Sequence, residues 1–147
     1  MKSPSFTKIN LALLTCSPAI PNLYPYITCT TWGVLVSFNL TYLLNPKAMI
    51  EFNKKQNNRL VMGNIITHII PAGITLLFPP KKIKFKNGIG GALIHISWGL
   101  WVSSGTLILN KHYTTLPPNQ WYILWGSAML TELLTPKLFN SIYKLKY

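Results

Sequence analysis

The chain has 147 residues, of which 49% are apolar and 11% are charged, and its formal net charge is +12. Soluble domains carry about 25% charged residues, and here the only acids are Glu51 and Glu132. The basic residues lie between apolar segments rather than among aromatics on one face, which argues against nucleic-acid binding. Two cysteines are too few for a disulfide framework. Composition therefore predicts a single all-α domain of the polytopic membrane class.

The N-terminal segment is similar to a signal peptide, because Lys2 and Lys8 precede a short apolar core at 9–14. That core is at the lower limit of length. Pro18 and Pro21 also stand where a cleavage site would lie. We therefore expect this segment to be retained in the protein.

Four apolar stretches are predicted to be membrane spans, since a helix needs about 20 residues to cross a bilayer. Prolines stand beside the ends of the first, second and fourth stretches, where helices tolerate them. The fourth is the shortest and could instead be an interfacial or re-entrant helix. The segment between the first two spans is predicted to be a short interfacial helix. The predicted spans, which form a bundle of four helices, are 26–44, 60–78, 88–109 and 121–134.

The distribution of basic residues predicts the orientation of the spans. Nine of the 14 basic residues fall on the two termini and the second loop, and five fall on the other two loops. Both termini are therefore expected on the cytoplasmic or matrix-like side. The second loop is predicted to contact anionic lipid headgroups through its four lysines, Lys81, Lys82, Lys84 and Lys86.

The second span carries a polar stripe. Asn64, Thr67, His68, Pro71 and Thr75 recur at spacings of three and four, so they share one side of a helix. Polar groups are costly against lipid, which predicts that the stripe faces the bundle interior. Pro71 removes a backbone donor and leaves the carbonyl of Thr67 without its helical partner, so we expect a disturbed helix there.

The first and third spans carry faces of small residues, which allow helices to approach closely. In the third span this face surrounds a histidine and consists of Gly91, His95, Gly99 and Ser103. In the first span it consists of Thr30, Gly33, Ser37 and Thr41.

Two histidines and one acid are the candidate functional groups inside the spans. His68 and His95 are predicted to form interhelical hydrogen bonds, and axial ligation of haem b is an alternative. A zinc site is disfavoured, because only the distant Glu132 could add a third ligand. Glu132 is expected to reach the membrane surface or to pair with Lys137. A proton site shared with one of the histidines is the alternative.

Three motifs resemble the C-terminal half of the androgen-induced-gene family of membrane hydrolases: THIIP (67–71), GGALIHISWGLW (90–101) and WYILWGSAMLTELL (121–134). The resemblance covers roughly 64–134. It implies a threonine enzyme that cleaves fatty-acid esters of hydroxy fatty acids, with His68 matching the family's membrane-embedded histidine. The nucleophile's motif has no counterpart here. Thr41 and Thr67 are the candidates, and Thr31 lies on the wrong side of its helix.

Three functions follow as hypotheses. The incomplete catalytic set favours a non-catalytic subunit or assembly component of a membrane complex. The first alternative is an intramembrane lipid-ester hydrolase that uses His68 with Thr41 or Thr67. The second is an electron-transfer subunit that binds haem through His68 and His95. The cofactor, the substrate and the partner subunits stay open at this point.

Overall fold

The computed structural model describes residues 6–55, 60–103 and 118–144, and all regular structure within them is helical. The all-α prediction is therefore confirmed for the described part of the chain. A 3-10 turn at Ser17–Ala19 follows the first helix, and a π-helical segment at Ile65–Ile69 joins the fourth helix to the fifth. The helices are α1 (Phe6–Cys16), α2 (Tyr24–Leu44), α3 (Pro46–Lys55), α4 (Leu60–Asn64), α5 (Ile70–Leu77), α6 (Phe85–Ser103) and α7 (Pro118–Tyr143).

Helix α2 is the centre of the bundle. It packs most extensively against α7, and α6 packs against both of them. The α4–α5 stretch lies on another side of α2, where Trp32 Nε1 donates a 3.0 Å hydrogen bond to Thr75 Oγ1. The small face predicted for the first span is buried throughout. This explains how three helices can meet along α2.

Helix α2, at 21 residues, is long and apolar enough to cross a membrane. It is the one such helix within the described ranges. The apolar stretch Met62–Leu77 is shorter. Helix α6 is described as far as Ser103, and residues 104–109 of the third predicted span lie outside the described residues. A bundle of four spans thus remains a prediction.

Large apolar side chains are exposed on this fold, whereas many polar side chains are buried, and we call this its division of polarity. Leu43, Leu77, Phe78 and Tyr122 are all more than two-thirds exposed. The buried side chains include many hydroxyls, among them Thr28, Thr41, Thr75 and Thr135. Each of these threonines donates to a carbonyl three or four residues earlier in its own helix. They are therefore buried without loss of hydrogen bonding.

Helix α1 is held to α2 by Asn10, which is buried. Its Nδ2 donates to Thr31 Oγ1 at 2.9 Å, and its Oδ1 accepts from Thr30 Oγ1 at 2.6 Å. The N-terminal segment that is similar to a signal peptide is therefore a packed part of this fold. The sequence did not predict that contact.

The predicted disturbance at Pro71 takes the form of the π-helical segment. The N–H of Ile70 bonds to the carbonyl of Ile65, five residues earlier instead of four. Widening the helix by one residue accommodates the proline, which offers no N–H of its own. His68 lies within this segment, and π-helical turns are frequent at functional sites.

Pro136 does not end the last helix, although its position after the fourth predicted span suggested a boundary. It lies inside α7, which continues to Tyr143. A proline at 136 leaves the carbonyl of Glu132 without an N–H partner in its own helix. Gly88 of α6 faces that carbonyl, since a Cβ atom there would lie 2.5 Å from Glu132 O. The absence of a side chain at residue 88 leaves room for the freed carbonyl.

Candidate functional site

The strongest candidate site is a buried pair of side chains between α6 and α7. His95 Nδ1 is hydrogen-bonded to Glu132 Oε1. The two side chains are 5% and 0% exposed. Glu132 is one of only two acids in the chain, and an acid buried so completely is costly unless it is paired.

Two glycines make the space that the carboxyl group occupies. A Cβ atom on residue 33 of α2 would lie 2.6 Å from Glu132 Oε1, and one on Gly91 of α6 would lie 3.5 Å from Glu132 Cδ. The carboxyl group therefore lies directly against the α2 backbone at Gly33. The spacing of small residues predicted close-packing faces that include Gly33 and Gly91, but it did not connect these glycines to Glu132.

Cys29 and Trp125 complete the surroundings of the pair. Cys29 is fully buried and lies close enough to interact electrostatically with Glu132. The Trp125 ring meets the His95 ring edge to face, with centroids 5.7 Å apart. Glu132 Oε2 is buried and has no hydrogen-bond partner within the described structure. The pair thus satisfies one oxygen of the carboxyl group and leaves the other free to accept a hydrogen bond.

The expected pairing of Glu132 with Lys137 is wrong. Lys137 is exposed, whereas Glu132 is fully buried and bonded to His95 on the neighbouring helix. The reason is helical geometry, because residues five apart lie on different sides of a helix. The description of Glu132 as distant from the histidines is wrong for His95, because the packing of α6 against α7 brings these two residues together.

His68 lies at one end of a chain of hydrogen bonds on the other side of α2. Its Nδ1 is 3.0 Å from Asn64 Oδ1, and Asn64 Nδ2 donates to Asn39 Oδ1, also at 3.0 Å. The ring of Phe38 lies on the imidazole, with centroids 4.3 Å apart. The hydrogen bond of His68 thus stays within its own helical stretch, whereas that of His95 connects two helices as predicted.

The bond to Asn64 fixes the chemistry that His68 offers. Because Asn64 Oδ1 can only accept, Nδ1 of the neutral imidazole carries the proton and Nε2 keeps its lone pair. This arrangement suits a general base. Of the predicted polar stripe, Asn64 and Thr67 are half-buried, and His68, Pro71 and Thr75 are buried.

The candidate nucleophiles are engaged elsewhere. Thr41 Oγ1 donates to Ser37 O at 2.7 Å, and Thr67 Oγ1 donates to Gly63 O at 2.6 Å. Thr31 Oγ1 accepts from Asn10. A base activates a hydroxyl by accepting its proton, and the two candidate donors direct theirs to backbone carbonyls.

The cofactor hypotheses rest on the same histidines. His68 contacts Asn64 and Phe38, whereas His95 contacts Glu132 and Trp125. Axial ligation of haem by both rings stays a prediction. Among the described residues, no three or more His, Cys, Asp or Glu side chains are grouped as a metal site would require.

Some predicted residues lie at or beyond the described ranges. Gly99 and Ser103 belong to α6, but their surroundings lie outside the described residues. Of the predicted close-packing face, Gly91 and His95 are buried.

No protein-family model, curated protein or solved structure matches the chain. The resemblance to the androgen-induced-gene family therefore stays an expectation from three short motifs, and function has to be argued from the site itself.

Proposed function

We propose that this protein is a multi-pass integral membrane protein with its termini on the cytoplasmic or matrix-like side. In this proposal it serves as a non-catalytic subunit or assembly component of a membrane complex. The observation that carries the proposal is the division of polarity, with apolar side chains outside and polar side chains inside. A bilayer favours that arrangement, because every polar group within it needs an internal partner.

The exposed surface supports the membrane environment. Large apolar residues remain exposed along α4–α5, α6 and α7, including Ile66, Leu93 and Leu130. An apolar surface of that extent on a soluble protein would be a binding site or would promote aggregation. In lipid it needs no further partner, and α2 in the centre has the length that a span requires.

The non-catalytic role is supported by the way in which the interior polar groups are used. The hydroxyls of Thr41 and Thr67 bond within their own helices, and Asn10 and Asn64 connect helices to one another. These bonds hold the bundle together. A hydrolase would need a hydroxyl directed at His68 Nε2.

The first experiment is extraction of the protein from its own membrane in mild detergent, with native size and visible spectrum read on the same fraction. We expect migration within a larger complex and no Soret band. A Soret band would favour haem ligation by His68 and His95. A small colourless particle would contradict the subunit proposal and would turn attention to the hydrolase.

A second candidate function is a proton site within the bundle, at Glu132 and His95. The specific observation that favours it is a fully buried acid with one oxygen bonded to an imidazole and the other without a partner. An ionisable group inside a membrane is a functional-site candidate by default.

The pair can hold one proton in two positions. In the neutral form the proton is on the Glu132 carboxyl, which donates it to His95 Nδ1. In the ionised form the proton is on Nδ1, which donates it to Oε1. One bond to hydrogen breaks as the other forms, and both charges change by one. Within the described ranges, the titratable groups that face Glu132 are His95 from α6 and Cys29 from α2.

The composition makes this proposal directly testable. The chain has two acids, so Glu51→Gln leaves Glu132 as its only side-chain carboxyl. Infrared spectra of that variant across a pH series, after subtraction of the spectra of Glu51→Gln/Glu132→Gln, would then report the C=O stretch of Glu132. A proton site must also exchange its proton with the medium, which leaves a carboxylate beside a neutral imidazole. We therefore expect the band of the protonated acid to weaken as the pH rises and to be absent in Glu51→Gln/Glu132→Gln. A band that stays constant over the whole series would assign the pair a purely structural role.

A further inference from the structure

One end of the bundle carries a concentrated positive charge, which we call the basic end. Three of its lysines lie in the loop between α5 and α6, and a fourth lies in the first turn of α6. Two more come from the last part of α7 or directly follow it. All six are exposed: Lys81, Lys82, Lys84, Lys86, Lys137 and Lys144.

The loop is held firmly against the bundle. Ile83 is only 1% exposed and packs in a cluster with Cys29 and Phe139. The N–H of Lys84 donates a 2.7 Å hydrogen bond to Asn87 Oδ1. The lysine side chains therefore extend from a fixed backbone, so little ordering of the chain is needed when they bind a partner.

Two hydrogen bonds hold the last part of α7, which carries lysines, against the loop. Asn140 Nδ2 donates to Ile83 O at 3.1 Å, and the Tyr143 hydroxyl donates to Leu76 O at 2.5 Å. Both donors lie between Lys137 and Lys144 in the chain. The sequence predicted these lysines on the same side of the membrane. The two hydrogen bonds hold the segment between Lys137 and Lys144 against the loop.

No acid within the described ranges offsets this charge. Glu132 is buried and paired with His95. Glu51 lies on α3, which follows the far end of α2. The near end of α2 is at the basic end, because the Tyr24 hydroxyl donates to Phe78 O at 2.6 Å. A helix of 21 residues separates the two ends by about 30 Å.

Two exposed phenylalanines border the loop. Phe78 is 68% exposed before it, and Phe85 is 62% exposed after it. Aromatic side chains beside lysines are typical of segments that lie at the boundary between headgroups and acyl chains. The two exposed phenylalanines beside the lysines therefore distinguish a lipid-binding surface from a loop whose lysines are only solvated.

We propose that the basic end binds anionic phospholipid headgroups at one face of the bilayer, with Phe78 and Phe85 inserted beside them. The proposal rests on the membrane insertion proposed above. The juxtaposition that carries it is six exposed lysines from two elements around a fixed loop with flanking aromatics. Each lysine near an anionic surface strengthens binding about fivefold, and salt weakens it.

The test uses the whole protein in mild detergent, titrated with phosphatidylserine or phosphatidylcholine in mixed micelles. Binding is followed by native mass spectrometry. The variants are Lys81→Gln/Lys82→Gln and, as a matched control at the far end, Lys47→Gln/Lys54→Gln. We expect a preference for phosphatidylserine that falls about 25-fold in the first variant and little in the second. An equal fall in both variants would assign the effect to net charge and overturn the proposal.

Two further arms identify the anion. Competition by millimolar inorganic phosphate would indicate a free-oxyanion site, and binding of a short DNA duplex with similar affinity would indicate a general polyanion surface. Either result would overturn a lipid surface. Flotation with pure phosphatidylcholine vesicles separates this proposal from the one on which it rests. A protein that does not float contradicts membrane insertion, whereas one that floats without preferring phosphatidylserine contradicts headgroup binding alone.

Discussion

Gly33 and Glu132 depend on each other: the carboxyl group of Glu132 fills the space that a side chain at residue 33 would need. A Cβ atom there would lie 2.6 Å from Oε1, 2.7 Å from Cγ and 2.9 Å from Cδ of Glu132. Contacts that close force one partner to move. The smallest residue on α2 and the buried acid on α7 therefore form one structural unit, with His95 as the third member.

Gly33→Ala should destabilise the bundle by about 1–3 kcal/mol, the usual cost of overpacking. Alanine is a better helix former than glycine by about 1 kcal/mol. Helix propensity alone would therefore predict a gain in stability, which is opposite to the expected loss. Thermal unfolding in detergent would measure it.

Gly73→Ala is the matched control, because nothing lies within 4 Å of its Cβ position. That variant should be neutral or slightly more stable. The double variant Gly33→Ala/Glu132→Ala should be less destabilised than the two single effects added together, since it removes the clash. Strict additivity would show that Gly33 and Glu132 do not share this space.

Glu132→Ala should cost about 1–3 kcal/mol, because it removes the buried hydrogen bond between the carboxyl group and His95. Lys137→Ala should change stability by less than about 0.5 kcal/mol, as exposed positions usually do. Measuring both variants by thermal unfolding distinguishes the observed His95 partner from the Lys137 partner that sequence suggested. Similar losses in the two variants would contradict the structure.

The two cysteines should differ sharply in reactivity. Cys16 is exposed and Cys29 is buried. A maleimide should therefore label Cys16 at once and Cys29 only after the helices around it have locally unfolded. An opening free energy of about 3 kcal/mol would slow Cys29 about 100-fold. Mass spectrometry of Cys16→Ser and Cys29→Ser would assign each rate. Rapid labelling of Cys29 in the folded protein would rule out the packing described around Glu132.

The sequence predicted most of the helices and the buried side of α2, but it did not predict α1 as a helix, the continuation of α7 past Pro136 or the burial of Glu132. The spacing of Asn64, His68 and Pro71 predicted a buried stripe, and the proline predicted the irregular helix around it. Periodicity describes one helix at a time, however. It could not show that Glu132 of α7 lies at the level of His95, because that depends on how two helices pack. The same limit applies to Gly88 and the carbonyl that Pro136 leaves free.

Asn10→Ala should destabilise the protein by about 1–3 kcal/mol, because it removes the partner of two buried hydroxyls. Helix α1 should then separate from α2 more readily, which limited proteolysis would detect as earlier cleavage after α1. Asn22→Ala, in the exposed turn before α2, is the control and should behave as the parent protein does. If the two variants are cleaved alike, Asn10 does not hold α1 in place.

A fluorophosphonate probe that labels threonine hydrolases should not modify this protein, because Thr41 and Thr67 direct their hydroxyls to backbone carbonyls. Labelling followed by intact-mass analysis would measure this. Labelling that disappears in Thr41→Ala or Thr67→Ala and also in His68→Ala would establish the hydrolase instead. The family resemblance would then extend to the chemistry.

The hydroxyl of Tyr143 on the carbonyl of Leu76 has a consequence for biosynthesis. The two residues are 67 positions apart, so the ribosome makes the donor about 3–13 s after the acceptor at 5–20 residues per second. During that interval the carbonyl of Phe78 already has its donor, the hydroxyl of Tyr24, which was made earlier. The carbonyl of Leu76 still lacks its donor. This end of the bundle is therefore complete only after α7 has been made and has packed against it. A chain stalled before α7 would present that unfinished end to the insertion machinery and to quality-control proteases.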